Sequence, residues 1–292
     1  MGRVWAEQFP AARRMFDAAD EALGFSLSDL CFGDSEDIHR TDIAQPAILT
    51  TSAAILSVLV EEEGLDLAAA PFTAGLSLGE YTALWVAGSL GFADAVRLVR
   101  LRGEAMQAAG ERTPSSMTSL IGASREQAET LAAIGRATGR ICSVANLNAP
   151  GQVVVSGELV ALDAVEAAAK EHGVRRAVRL TVAGGFHSEC MRPAAERLKT
   201  ALASVEIRRP RIPFASNVTG TAVEDPHSIR AHLADQVCAP VLWEASMRHA
   251  LERGHRTFIE PGPGTVLGGL MRKIDPAAAV RSVAEPADLV RG

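Results

Sequence analysis

The stretch Pro71-Phe-Thr-Ala-Gly-Leu-Ser-Leu-Gly-Glu-Tyr-Thr-Ala-Leu84 decides how the chain is read. It predicts a short buried strand, a tight turn over Gly75-Leu76-Ser77-Leu78-Gly79 and then a helix, the pattern of a nucleophile elbow. A glycine on either side of the serine lets the chain reverse without a Cβ clash. The turn lifts the Ser77 hydroxyl off the sheet edge, and the first free N–H groups of the helix, that of Leu78 above all, face the place where an oxyanion would form. The plainer alternative is a glycine-rich strand-to-helix turn that happens to contain a serine.

Composition narrows the classes around that turn. A chain of 292 residues, 48% hydrophobic and 22% charged, can bury one large core or a core with an inserted lobe. Its formal net charge of −6 gives no reason to expect bulk nucleic-acid or anionic-membrane binding. Cys31, Cys142, Cys190 and Cys238 form no C-x-x-C pair, which argues against a zinc site or a disulfide framework and fits a reducing cytosol. The N-terminus lacks a signal-type apolar core, and no apolar run reaches about 18 residues, so no membrane span is expected.

Outward from the elbow, apolar spacing predicts one helix or two joined at Pro10 over residues 2–22, and a helix from Ala47 to Val60 opened by Gln45-Pro46 and closed at Gly64. Another runs from about Phe92 to Ala109. Residues 116–183 then alternate as strand, helix, strand, strand, helix, strand, with Asn148-Ala-Pro-Gly151 as the central turn, a ferredoxin-like order. The rest alternates strands near 212–218 and 257–260 with helices near 229–236, 247–254 and 266–273. The expected fold is therefore α/β: an α/β-hydrolase-like core with a mostly parallel sheet, from residues 1–115 and 184–292, carrying an inserted small subdomain at 116–183.

Two further residues are candidates. His187 follows Gly184-Gly185-Phe186 at the exit of the inserted lobe and precedes a helix, so its imidazole can sit at a cleft mouth. Arg102 lies in Leu-Arg-Leu-Arg-Gly-Glu-Ala-Met-Gln beside Arg97 and Arg100, and helical arginines are mostly solvated. His39, His172, His227, His232, His249 and His255 lie on polar helices or loops and carry no functional expectation.

With Gly-Leu-Ser-Leu-Gly-Glu-Tyr, Leu-Arg-Gly-Glu-Ala-Met-Gln, Asn-Ala-Pro-Gly-Gln, Gly-Gly-Phe-His-Ser and Glu-Pro-Gly-Pro-Gly all in order, the chain resembles the malonyl-CoA:acyl carrier protein transacylases. The likeness extends to the acyltransferase domains of fatty acid and polyketide synthases, and it spans Met1 to about Val283. The resemblance implies a Ser77–His187 dyad working through an acyl-enzyme, with Leu78 N–H in the oxyanion hole and a backbone carbonyl at Gln236 orienting the imidazole. It further implies that Arg102 grips the free carboxylate of malonyl, as a planar guanidinium does through two parallel hydrogen bonds. Asn148 matches a residue near the acyl pocket, and Phe186 a ring that would crowd an α-methyl group and so favour malonyl over methylmalonyl.

Two departures stand out. Leu76 takes the place of a usual histidine before the serine. The family's opening strand and Gly-Gln-Gly-x-Gln type loop, whose glutamine completes the oxyanion hole, has no counterpart here; the expectation is that Met1 is an internal methionine of a longer reading frame. Loss of one such donor costs roughly 10²–10³ in rate, so a longer version would be more stable and more active.

The expected function is transfer of malonyl from malonyl-CoA to the phosphopantetheine thiol of acyl carrier protein in cytoplasmic fatty acid synthesis. Neither a cofactor nor a metal is expected, nor a nucleic-acid or membrane partner, and the chain should be a monomer. Alternatives are a malonyl-selective polyketide synthase domain, a truncated and weakly active or inactive form, or a serine esterase or thioesterase. A hydrolase would not need Arg102, and would more often carry an acidic third triad member.

Overall fold

The computed structural model describes residues 1–290. Helices α1 (Arg3–Gln8) and α2 (Pro10–Leu23) are separate, because Phe9 is extended between them and Pro10 starts the second, a position where its missing N–H costs nothing. Helix α3 (Leu27–Phe32) is capped by the Ser26 side chain, and α4 (Thr41–Glu63) forms the centre of the main core.

Helix α4 begins well before the expected Ala47 and contains Pro46. Proline there leaves the carbonyl of Asp42 without its helical donor, and Arg100 Nη1 supplies one at 2.9 Å. By length and composition the helix could cross a membrane, yet most of it is buried inside the protein, as befits a core helix.

Strand β1 (Thr73–Ala74) leads through the Ser77 turn into α5 (Gly79–Val86), and α6 (Phe92–Arg112) follows. Gly103 lets α6 approach α4 closely: a Cβ there would lie 2.5 Å from the Thr41 carbonyl oxygen.

The chain then builds a second, separate core. Strand β2 (Ser115–Ile121), helix α7 (Arg125–Ala137), strands β3 (Cys142–Ala149) and β4 (Gln152–Glu158), helix α8 (Leu159–Ala168) and strand β5 (Arg176–Arg179) form a four-stranded antiparallel sheet in the order β3-β4-β2-β5. β5 is shorter than the expected run to Ala183. Leu180 N–H makes a last bond to the Met117 carbonyl (2.8 Å), residues 181–183 leave the ladder, and the Ala183 carbonyl packs 2.0 Å from where a Cβ on Gly110 of α6 would lie.

Beyond the lobe come α9 (Arg192–Ala203), β6 (Phe214–Ala215), β7 (Ala222–Val223), α10 (Pro226–Asp235), α11 (Trp243–Glu252), β8 (Thr257–Pro261), α12 (Val266–Ile274) and β9 (Ala279–Val283). The expected single, mostly parallel sheet is not formed among the described residues. β1 pairs parallel with β6, which pairs antiparallel with β7, and a separate parallel pair joins β8 to β9. The strand expected over 212–218 shrinks to two residues because Ser216 and Asn217 turn their polar groups to side chains and a tight turn. The two lobes are tied where Val241 N–H donates to the Ala145 carbonyl (2.8 Å) and Leu147 N–H to that of Val241 (2.9 Å), just past the end of α10.

Candidate active site

The turn before α5 is built on one glycine rather than two. A Cβ on Gly75 would lie 2.0 Å from the Gly79 backbone, so only glycine fits, whereas a Cβ on Gly79 would meet open space. Leu76 packs with Phe72 against the cluster around Trp243 and Met271, which anchors the turn from its apolar side.

Ser77 and His187 are the two non-glycine residues with positive φ among those described, at 51° and 59°. Such backbone is costly, of order 1–3 kcal/mol each, and persists only when its surroundings impose it. At Ser77 two side chains do so. Its N–H donates to Asn217 Oδ1 at 2.7 Å, and its carbonyl accepts from Gln236 Nε2 at 2.9 Å. Asn217 Nδ2 also donates to the Gly75 carbonyl (2.8 Å), so one amide spans the turn.

Ser77 Oγ lies 2.8 Å from His187 Nε2, and His187 Nδ1 lies 2.8 Å from the Gln236 carbonyl oxygen. That carbonyl can only accept, so Nδ1 carries the proton and Nε2 presents its lone pair to the Ser77 hydroxyl. Burial and the Arg102 charge hold the imidazole down to about 4, so it is neutral and able to take a proton near neutral pH.

Arg102 is 2% exposed, unlike its helix neighbours Arg97 and Arg100, which make ion pairs at the surface. Its Nη2 donates to Ser77 Oγ (2.9 Å) and to Gln236 Oε1 (3.0 Å), and its Nη1 to Gln45 Oε1 (2.5 Å). Its buried Nε finds no acceptor, and burial lowers the guanidinium from its ordinary value without removing the charge. The result is a donor-rich cation with no direct ion pair among the described residues, set against the nucleophile.

Four of the expected residues, Ser77, His187, Arg102 and Gln236, thus share one hydrogen-bonded cluster. Leu78 N–H, next to it, donates to no carbonyl among the described residues and is free for an oxyanion. Asn148, at the end of β3, makes no hydrogen bond to this cluster, and its buried Oδ1 has no donor. Phe186 packs between the main core and the small patch of Met117, Ala145 and Val154, immediately before the histidine.

Three site residues were not legible beforehand. Gln45 marks only a helix start in sequence, Glu80 passes for an ordinary first-turn acid, and Asn217 falls at the end of an expected strand. Glu80 alone carried a signal, as the one charged residue in an otherwise apolar α5; it is fully buried and accepts from Asn217 N–H (2.5 Å) and from Gln236 Nε2. Burial raises its carboxyl to about 8, against the pull of the Asn217 N–H, the Gln236 amide and the Arg102 charge, which favour the ionised form. No group of three or more His, Cys, Asp or Glu residues is placed to hold a metal among the described residues.

Residues 1–282 match the family model described as acyl transferase domain. A malonyl CoA-acyl carrier protein transacylase of Bacillus subtilis (strain 168) is 42% identical over 98% of this chain and 89% of its own length. One of Salmonella typhimurium is 37% identical over 97% of this chain and 91% of its own. Among solved structures, an acyl-carrier-protein-S-malonyltransferase from Bartonella henselae superposes with a TM-score of 0.93 at 39% identity, covering 99% of this chain and 92% of that one. A malonyl-transacylase solved in complex with a type II polyketide acyl-carrier protein gives 0.93 at 35% identity, with the same coverage.

Proposed function

The chain belongs to the acyl transferase domain family, and we propose that it transfers malonyl from malonyl-CoA to the phosphopantetheine thiol of acyl carrier protein, the step that supplies malonyl units for fatty acid synthesis. The observation that carries this reading is a buried Arg102, in no direct ion pair among the described residues, in hydrogen-bond contact with Ser77 Oγ. A hydrolase of neutral esters has no use for that cation. A dicarboxylic acyl group does, because its free carboxylate can take guanidinium N–H groups while its thioester carbonyl lies against the serine.

In the first half-reaction Ser77 Oγ attacks the thioester carbon and its proton passes to His187 Nε2. The carbonyl oxygen, now an oxyanion, accepts from Leu78 N–H. As the C–S bond breaks, the proton on Nε2 goes to the departing CoA thiolate, leaving a malonyl ester on Ser77. The carrier thiol then repeats the sequence in reverse order, giving its proton to His187 and taking the acyl group. Throughout, the Gln236 carbonyl holds Nδ1–H and stabilises the imidazolium that forms at each proton transfer.

Acyl carrier protein as the partner is supported by the solved complex of a relative with such a carrier. We read the lobe of β2–β5 as a ferredoxin-like small subdomain, residues 116–183, set into an α/β-hydrolase-like core of 1–115 and 184–292. Phe186 is assigned to exclusion of an α-methyl branch and Asn148 to the acyl pocket.

The test compares malonyl-CoA with acetyl-CoA as donor and follows the thiol-bound product on carrier protein against free acid. Malonyl should be transferred, with little hydrolysis. Arg102→Ala should lose malonyl transfer by an amount equivalent to about 2–5 kcal/mol, the usual cost of leaving one member of a buried charge pair alone, while acetyl transfer is spared or raised. If the two donors fall together, Arg102 is structural and the reading loses its basis.

A further inference from the structure

The Gln236 amide has two ends and two neighbours of opposite demand. One neighbour, Arg102, can only donate; the other, Glu80, accepts when ionised. In the structure Oε1 faces Arg102 Nη2 at 3.0 Å and Nε2 faces Glu80 Oε2 and the Ser77 carbonyl. Turned through 180°, the amide would set its NH2 group against the guanidinium and its oxygen against the carboxylate. Glu80 is itself fixed from the far side, since its Oε1 accepts from Asn217 N–H at 2.5 Å, and Asn217 holds the Ser77 N–H. Both Glu80 oxygens therefore accept from N–H donors, an arrangement that holds the carboxylate against the upward push of burial.

We propose that Glu80 is a positioning residue for malonyl transfer: its buried carboxylate sets the direction of the Gln236 amide, and so determines that an oxygen, not an NH2 group, steadies Arg102 beside the nucleophile. The inference rests on the reading of Ser77, His187 and Arg102 given above. Glu80 touches neither serine hydroxyl nor imidazole through its side chain. Its influence on His187 is slight, because the Gln236 atom that orients the imidazole is the backbone oxygen, which an amide rotation does not move. The Ser77 carbonyl would keep a second donor, the Glu80 N–H at 3.1 Å. The group that depends on the amide is Arg102, and hence recognition of the substrate carboxylate.

Glu80→Gln preserves shape but supplies one acceptor and one NH2 group where two N–H donors need two acceptors. The Gln236 amide then gains as much by turning over as by staying. The experiment measures malonyl-enzyme formation from malonyl-CoA and, on the same samples, labelling of Ser77 by a neutral fluorophosphonate that has no carboxylate for Arg102. In Glu80→Gln the ratio of malonylation to neutral labelling should fall about tenfold or more, mainly through a raised KM for malonyl-CoA. An unchanged ratio, with both reactions lowered alike or neither lowered, would overturn the proposal.

Gln236→Met keeps the backbone oxygen and deletes the amide. It should lower the same ratio by itself, and in its background Glu80→Gln should lower it no further, since one path is already cut. Additive losses would overturn the proposal, and if Glu80→Gln does not fold, an unchanged ratio in Gln236→Met alone would do the same. Wild-type protein that labels with fluorophosphonate but takes no malonyl would instead strike the proposed function, leaving the two failures distinguishable.

Discussion

The two lobes are held together by different means. The lobe of β2–β5 is an antiparallel ladder, seven residue pairs long between β2 and β4 and shifted in register twice between β3 and β4, with two helices sealing a core of Leu120, Leu131, Val155 and Leu162. The larger lobe has strands of only two residues at the site, and there the backbone is held by side chains: Asn217 and Gln236, 140 and 159 positions from Ser77, with Glu80 three positions on bracing Asn217. A ladder spreads its stability over many equivalent bonds, whereas a side-chain cluster concentrates it in a few that cannot be exchanged. Damage should therefore lower stability broadly in one lobe and destroy chemistry selectively in the other.

The largest effect is expected at the turn itself. Gly75→Ala forces a Cβ to within 2.0 Å of the Gly79 backbone and must displace the start of α5. Neutral fluorophosphonate labelling of Ser77 should fall at least a hundredfold, against at most a small change from Gly79→Ala, whose Cβ would meet open space. Equal losses from the two substitutions would mean that the turn needs glycine for flexibility and not for close approach.

Leu120→Ala is the matching lesion in the other lobe. Leu120 is fully buried in the second core, and such truncations cost about 2–5 kcal/mol. Denaturant unfolding should show that loss, while Ser77 labelling in native buffer stays close to wild type. A parallel collapse of labelling would show that the lobes do not respond separately.

The contrast also explains what was readable in advance. The order of elements in the small lobe could be read because alternation and turn residues are local signals, and the structure shows the same strand, helix, strand, strand, helix, strand order. Ser77, His187 and Arg102 could be found from several short stretches standing in one order. Gln45, Glu80 and Asn217 could not, since nothing near them in sequence says that they meet: Glu80 and Gln236 are 156 positions apart. The split of the large sheet was missed for a similar reason, as Asn217 leaves the expected strand to bond Glu80 across the site and Ser216 closes a tight turn.

A smaller effect concerns pH. His187 is held down to about 4 from an ordinary 6.5, by burial first and by Arg102 second. The unfolded chain takes up this proton near 6.5 and the folded one does not, so this group lowers the stability of the fold as pH falls from about 6.5 through about 4. The acid limb of Ser77 acylation should accordingly lie near 4 rather than 6.5. Arg102→Ala removes one of the two causes, so it should move that limb upward; a limb that stays in place would assign the whole shift to burial.

The central claim is that Ser77 carries the malonyl group between donor and carrier. It is tested most directly by the intact mass of the protein after brief incubation with malonyl-CoA, followed by addition of carrier protein bearing its phosphopantetheine thiol. A gain of one malonyl group is expected, located on Ser77 by peptide mapping, absent from Ser77→Ala and discharged to the carrier thiol. A malonylated Ser77→Ala protein, or a wild-type adduct that the carrier does not discharge, would contradict it.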